Sequence, residues 1–224
     1  MKYTEPDLHK SALLTIDVQR DFSLPGAPAE IPGTMAVVPN IVRLLLAFRA
    51  AKRPIIHIVR LYRSDGSNVD LCRRELIQKG KEIVRPGSTG AQLVKELLPR
   101  PEVELNGPLL LDGGIQVLEP GEAVIYKPRW GAFFATPLHD HLKRLQVDTL
   151  IVCGCNFPNC PRTTVYEASE RDFRIILVED AVSGIYQQGK DELRNIGVHV
   201  WSTDTLINEL NAEPSARGAI CRRT

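Results

Sequence analysis

Short runs of Val, Ile, Leu and Ala recur along the chain and alternate with longer stretches whose apolar residues fall three and four apart. The first pattern fits strands buried on both faces of a parallel sheet, and the second fits helices that cover such a sheet. The runs predict strands at 12–16, 54–59, 123–126, 149–153, 174–178 and 198–201. The longer periods predict helices at 37–51, 91–98, 137–145, 161–171 and 190–196. In the first of these, Ile41, Leu44, Leu45 and Phe48 form one apolar stripe. Strand and helix in alternation describe an α/β fold of three layers, a mostly parallel sheet of about six strands with helices on both faces. Segments 64–90 and 99–121 break the rhythm, the second through Pro99, Pro101, Pro108 and Gly113-Gly114. Neither has the uniform polarity of a linker, so a single domain over 1–224 is expected, with a polar tail from about 211.

Composition narrows the classes of function. Of 224 residues, 28 are Lys or Arg and 27 are Asp or Glu, a net charge of +1. Such a chain has no field to gather nucleic acid or anionic lipid, so neither is expected as a partner. No apolar run approaches the roughly 20 residues that span a bilayer. The start, MKYTEPDLHK, has no hydrophobic core of a leader, so a cytoplasmic protein acting on a small molecule is the expectation. Five cysteines, with Cys153, Cys155 and Cys160 inside eight residues, suit reduced thiols better than a disulfide framework.

Ligands of an open parallel sheet gather at the carboxyl ends of its strands, and three polar residues stand there directly after apolar runs or close behind one. Asp17 follows Leu13-Leu14-Thr15-Ile16, Lys127 follows Val124-Ile125-Tyr126, and Cys160 lies beyond the run ending at Cys153 and just before Pro161. Pro161 suits a first helical turn, so Cys160 is expected at a helix N-terminus, where the dipole should lower its pKa. Each residue alone has a plain explanation: a turn-forming Asp, an edge Lys, a buried Cys. Together, an acid, an ammonium and a thiol at three strand ends can converge on one cleft, the acid taking the thiol proton.

The segments 13–22, 127–133 and 154–160, with Val178-Glu179-Asp180-Ala181, resemble the isochorismatase-like cysteine hydrolases over roughly 11–210. That group includes nicotinamidases, N-carbamoylsarcosine amidases, ureidoacrylate and biuret amidohydrolases, and isochorismatases. The resemblance implies Cys160 as nucleophile, Asp17 as general base and acid, and Lys127 as the group that orients Asp17 and lowers the thiol pKa. It also implies a cis peptide between Cys155 and Asn156, an oxyanion hole made by the N–H groups of Asn156 and Cys160, and assembly as a dimer or tetramer. The implied activity is cleavage of a C–N bond in a small amide, ureido or N-carbamoyl compound through a thioester, without a cofactor; vinyl-ether cleavage is the alternative.

The chain departs from nicotinamidases after its second strand, where the stretch His57 to Ser67 lacks the spacing of their metal-binding Asp-x-His and second His, so no metal is expected. Phe22, Arg60, Arg129, Trp130 and Phe134 are candidate substrate contacts, with Arg63 and Arg162 as further guanidinium donors for a carboxylate or carbonyl. Segment 102–118 reads as extra sequence that shapes a lid or interface. Two other classes are weighed: a zinc site from Cys153, Cys155, Cys160, His139 and His141, for which the cysteine spacing is poor, and a binding protein without turnover.

Overall fold

The computed structural model describes residues 2–212. The expected tail beyond 212, including Cys221, lies outside the described residues. In chain order the strands are β1 (Ser11–Ile16), β2 (Ile55–Val59), β3 (Ile115–Glu119), β4 (Glu122–Tyr126), β5 (Thr149–Gly154), β6 (Arg174–Val182) and β7 (His199–Trp201). The helices are α1 (Arg20–Ser23), α2 (Thr34–Ala50), α3 (Leu71–Gln78), α4 (Gly107–Leu111), α5 (Leu138–Arg144), α6 (Cys160–Ser169), α7 (Gln187–Asn195) and α8 (Thr203–Ala212). The strands form one sheet in the order β3-β4-β2-β1-β5-β6-β7, parallel throughout except for the β3–β4 pair.

Strand alternation builds the three layers. On β1, Ala12, Leu14 and Ile16 join a core with Leu138 and Leu142 of α5, Val165 and Ala168 of α6 and Leu193 of α7. Leu13 points the other way, into a core with Val38, Ile41, Leu44, Leu45 and Phe48 of α2 and Leu206 and Leu210 of α8. The stripe read in the sequence is therefore the face of α2 that covers the sheet.

The α/β fold with a mostly parallel sheet is the one expected, with seven strands where about six are read from the sequence. The added strand, β3, lies within the irregular segment 99–121 and overlaps the end of the extra sequence 102–118; it pairs antiparallel with β4. The expected helix at 91–98 is not formed; a short 3-10 turn covers Lys95–Leu97. Its apolar spacing mimics a helix, but the backbone there bonds to the stretch after β1: Val94 N–H donates to Val18 O at 3.1 Å and Arg20 N–H to Gln92 O at 2.9 Å. Helices α1, α3, α4 and α8 stand where no helix is expected from the sequence. Strand β6 also runs past residue 178, pairing again with β5 at Val182, and within it Asp180 Oδ1 accepts from Thr203 N and Oγ1 at 2.8 Å each at the start of α8.

One buried polar cluster ties α2 to the sheet. Glu122 accepts from Arg49 Nε and Nη2, both at 2.8 Å, and its Oε1 lies 3.0 Å from His57 Nε2. The other ring nitrogen of His57 bonds Thr15 Oγ1 at 2.8 Å. Burial opposes the charged form of Glu122, yet the bonds from Arg49 and His57 outweigh it and hold the carboxyl down at about 2. A folded-state pKa below the ordinary 4.5 stabilises the fold fully above that value and progressively less as pH falls toward 2. Glu122→Gln is expected to cost about 2 kcal/mol of unfolding free energy near neutrality. In urea titrations at stepped pH, the wild-type and variant stabilities should converge between pH 4.5 and 2.

Candidate active site

The sheet's chain path moves from β1 to β2 and β4 on one side, then returns to β5 on the other, so β1 is a switch point where a crevice opens at the carboxyl ends. Asp17 takes the first position after β1, in the left-handed region with φ 53°, and its N–H still bonds Ile58 O at 2.9 Å. Lys127 takes the first position after β4, its N–H held by Val59 O at 3.0 Å. Because β2 lies between β1 and β4, Lys127 reaches across the end of β2. Its Nζ sits 2.7 Å from Asp17 Oδ2 and 3.2 Å from Arg129 O. Both side chains are buried. Asp17 Oδ1 is buried too and has no hydrogen-bond partner among the described residues.

Cys160 opens α6 and is buried at 7% exposure. The approach from β5 is constrained by Gly154 (φ 114°), where a Cβ would stand 2.3 Å from Ile16 O. The next peptide, Cys155–Asn156, is cis. Phe157 N–H goes to Ser183 O and Asn159 N–H to Asn156 O, whereas the N–H groups of Asn156 and Cys160 donate to no acceptor among the described residues. Thr164 fastens α6 to the loop after Lys127, donating to Cys160 O at 2.8 Å and accepting from Ala132 N–H at 3.1 Å.

The expected fall in the thiol's pKa is corrected. Burial, then the neighbouring Asp17 carboxylate, push Cys160 up to about 11, against a downward pull from Lys127 and Arg60. The thiol of the free site therefore keeps its proton near neutral pH. Cys153 and Cys155 are also pushed up by burial, the former with no charged neighbour acting on it.

The candidate substrate contacts divide. Arg60 is buried at 1% exposure, its peptide clamped by Gln19, whose Oε1 accepts Arg60 N–H at 2.7 Å and whose Nε2 donates to Arg60 O at 2.8 Å. Arg60 Nη2 donates to Asp70 Oδ2 at 2.8 Å. Phe22 is buried and Trp130 half-buried, and the Arg73 guanidinium lies over both rings, 5.7 and 5.8 Å from their centroids. Arg129 is spent on backbone, donating to Pro128 O and Asn68 O. Phe134 is 53% exposed and Arg63 is exposed; neither joins this group. Arg162 is engaged by Tyr166, Tyr186 and Glu192. Asp70, Tyr62 and Arg73 were missed by sequence reasoning, lying in or beside the segment read as irregular. As for the zinc alternative, no group of three His, Cys, Asp or Glu among the described residues is arranged to hold a metal ion.

The Isochorismatase domain model matches residues 11–106 and 110–205. A probable inactive nicotinamidase of Arabidopsis thaliana is 31% identical over 207 residues, covering 87% of this chain and 95% of that protein. An N-carbamoylsarcosine amidase of Arthrobacter sp is 30% identical over 215 residues, 92% of this chain and 73% of that protein. Among solved structures, an isochorismatase family protein of Desulfovibrio vulgaris superposes with a TM-score of 0.77 at 34% identity, covering 90% of this chain and 98% of that one.

The charge arrangement predicts how Cys160 alkylates. In wild-type protein the rate at Cys160, followed by peptide mapping with iodoacetamide, should rise with pH toward a midpoint near 11, above a free thiol. Asp17→Asn removes the carboxylate that raises the pKa and leaves the cations, so the midpoint should move down. An unchanged or higher midpoint in the variant would show that Asp17 does not govern the thiol.

Proposed function

The chain belongs to the isochorismatase family, and from that premise we propose that it is a cysteine hydrolase cleaving a C–N bond of a small amide, ureido or N-carbamoyl compound. The observation that carries this reading is the buried Lys127–Asp17 pair, 2.7 Å apart, with one carboxylate oxygen unpartnered and the charge of the pair acting on Cys160. A packing role requires neither a buried ion pair, which is costly to desolvate, nor a thiol beside it. The N-carbamoylsarcosine amidase among the relatives supports a C–N bond as the target. The Arabidopsis relative is named probably inactive; the presence of Asp17, Lys127 and Cys160 here favours turnover.

In the proposed reaction Asp17 takes the Cys160 proton as sulfur attacks the carbonyl carbon. The proton moves within the field of Lys127, so negative charge passes from carboxylate to sulfur and on to the carbonyl oxygen without leaving the cations. The N–H groups of Asn156 and Cys160 receive that oxyanion. Protonated Asp17 then gives its proton to the departing nitrogen, the C–N bond breaks, and a thioester on Cys160 remains. Water attacks the thioester, its proton goes to Asp17, and the released sulfur recovers that proton with the acid product.

Ammonia release from primary amides, ureido compounds and N-carbamoyl acids tests the reading. Cys160→Ala and Asp17→Asn should each lower kcat by about a thousandfold or more while unfolding cooperatively. Mass spectrometry of rapidly quenched wild-type enzyme should find an acyl adduct on the peptide containing Cys160. Turnover retained by Cys160→Ala would remove the nucleophile from that position.

A further inference from the structure

Arg60 is the first residue after β2, and β2 lies between the strands that carry Asp17 and Lys127. Its guanidinium is buried at this end of the sheet, close enough to Asp17 and Cys160 for the charges to act on one another. Among the described residues Nη2 donates to Asp70 Oδ2, while Nε and Nη1 are buried and have no hydrogen-bond partner. Buried donors left unpaired cost free energy, more so when charged. The group is nonetheless held firmly. Asp70 Oδ2 also accepts from Tyr62 Oη at 3.0 Å, Arg73 Nη1 donates to Tyr62 Oη at 2.9 Å, and the Arg60 guanidinium carbon lies 5.7 Å from the Tyr62 ring centroid.

We propose that Arg60 is the receptor for a carboxylate on the substrate, which it binds while Asp17, Lys127 and Cys160 act on the amide. The proposal rests on the amidohydrolase reading above and names the substrates that reading leaves open: small amides that are also acids. Charge selects the anion over a neutral carbonyl, which would also accept from Nε or Nη1. Around Cys160, Lys127, Arg60 and Arg73 are cationic against the carboxylates of Asp17 and Asp70, leaving one positive charge without a counterpart. Asp70 and Tyr62 are positioning residues in this account. Arg73, stacked over Phe22 and Trp130, sets the aromatic wall beside the anion.

Two reagents of equal size separate charge from access: iodoacetate and iodoacetamide, each alkylating sulfur with loss of iodide. A free thiol prefers the neutral reagent. At fixed pH, Cys160 of the wild-type protein, read by peptide mapping, should reverse that preference by about tenfold relative to free cysteine. Arg60→Gln should return the ratio to that of free cysteine; where the single variant fails to fold because Asp70 is left unpaired, Arg60→Gln with Asp70→Asn serves instead. The ratio is the readout because loss of Arg60 also shifts the thiol's pKa, which slows both reagents alike. In turnover, malonamate, succinamate and glutaramate are compared with their methyl esters, and the best acid should exceed its ester in kcat/KM by at least about tenfold. Arg60→Gln should lower kcat/KM for that acid by at least about tenfold more than for its ester, since the shift in the thiol's pKa slows both substrates alike. A wild-type ratio equal to that of free cysteine, or one unaltered in the folded variant, overturns the proposal. An alkylation preference for iodoacetate without hydrolysis of any amide instead refutes the amidohydrolase reading and leaves the anion receptor standing.

Discussion

The ion pair between Lys127 and Asp17 governs the rest of this site. Two charges withdrawn from water incur a desolvation cost of several kcal/mol each, recovered only when geometry is good and the pair is held. Strands β4 and β1 stand two spacings apart, about 10 Å, and a side chain as long as lysine's closes that gap to 2.7 Å. For this to happen β2 must end beneath the lysine, and the continued ladder, Lys127 N–H to Val59 O and Asp17 N–H to Ile58 O, keeps the three strand ends in step. Asp17 leaves the strand in a left-handed conformation, so its carboxylate does not follow the alternation that buries Ile16 and Leu14 in the core.

The pair also decides where charge rests. Buried, and with the Asp17 side chain beside it, the Cys160 thiol keeps its proton although it opens a helix. The helix dipole is a partial charge, whereas burial and an adjacent full carboxylate act at closer range on a group with little solvent. A protonated thiol is consistent with a nucleophile made on demand. Moving the proton from sulfur to Asp17 leaves the total charge near Lys127 and Arg60 unchanged, so the low-dielectric surroundings oppose the transfer less than they would oppose creating a new ion.

Much of this was legible in the sequence because it depends on position along single strands. Apolar runs marked six of seven strands, and Asp17 and Lys127 stood out because each directly follows one. What was not legible depends on partners far away in the chain. Strand β3 has only half-buried and exposed positions apart from Leu118, so it lacks the continuous apolar run of its neighbours. Positions 91–98 carry helical spacing, yet the stretch after β1 captures their backbone. Arg60 directly follows the run 54–59, as Asp17 and Lys127 follow theirs, yet it had the same claim as several other arginines until burial set it apart from Arg63, which is exposed, and from Arg129, which is spent on carbonyls. Burial separated them, and burial came from Asp70 and Tyr62, within a segment whose polarity had suggested a loop.

The segments that lack regular secondary structure are ordered by polar side chains that satisfy backbone groups in its place. Gln19 bonds the peptide of Arg60 on both sides and also donates to Ala91 O at 2.6 Å. Asp21 Oδ2 accepts Val84 N–H at 2.6 Å, and Gly90 packs so closely on Asp21 that a Cβ there would meet Oδ1 at 2.0 Å. Asn68 donates to Leu61 O and to Tyr126 Oη and accepts from Arg63 N–H. These bonds lock residues 60–70 and 84–94 against the end of β1, which is where the Arg60 guanidinium must be held if two of its nitrogens are to stay dry and unpaired. A cation left free in a flexible loop would turn to water. Here the clamped backbone, the Asp70 carboxylate and the Tyr62 ring remove that option, and the free N–H groups remain available to a ligand that brings its own negative charge.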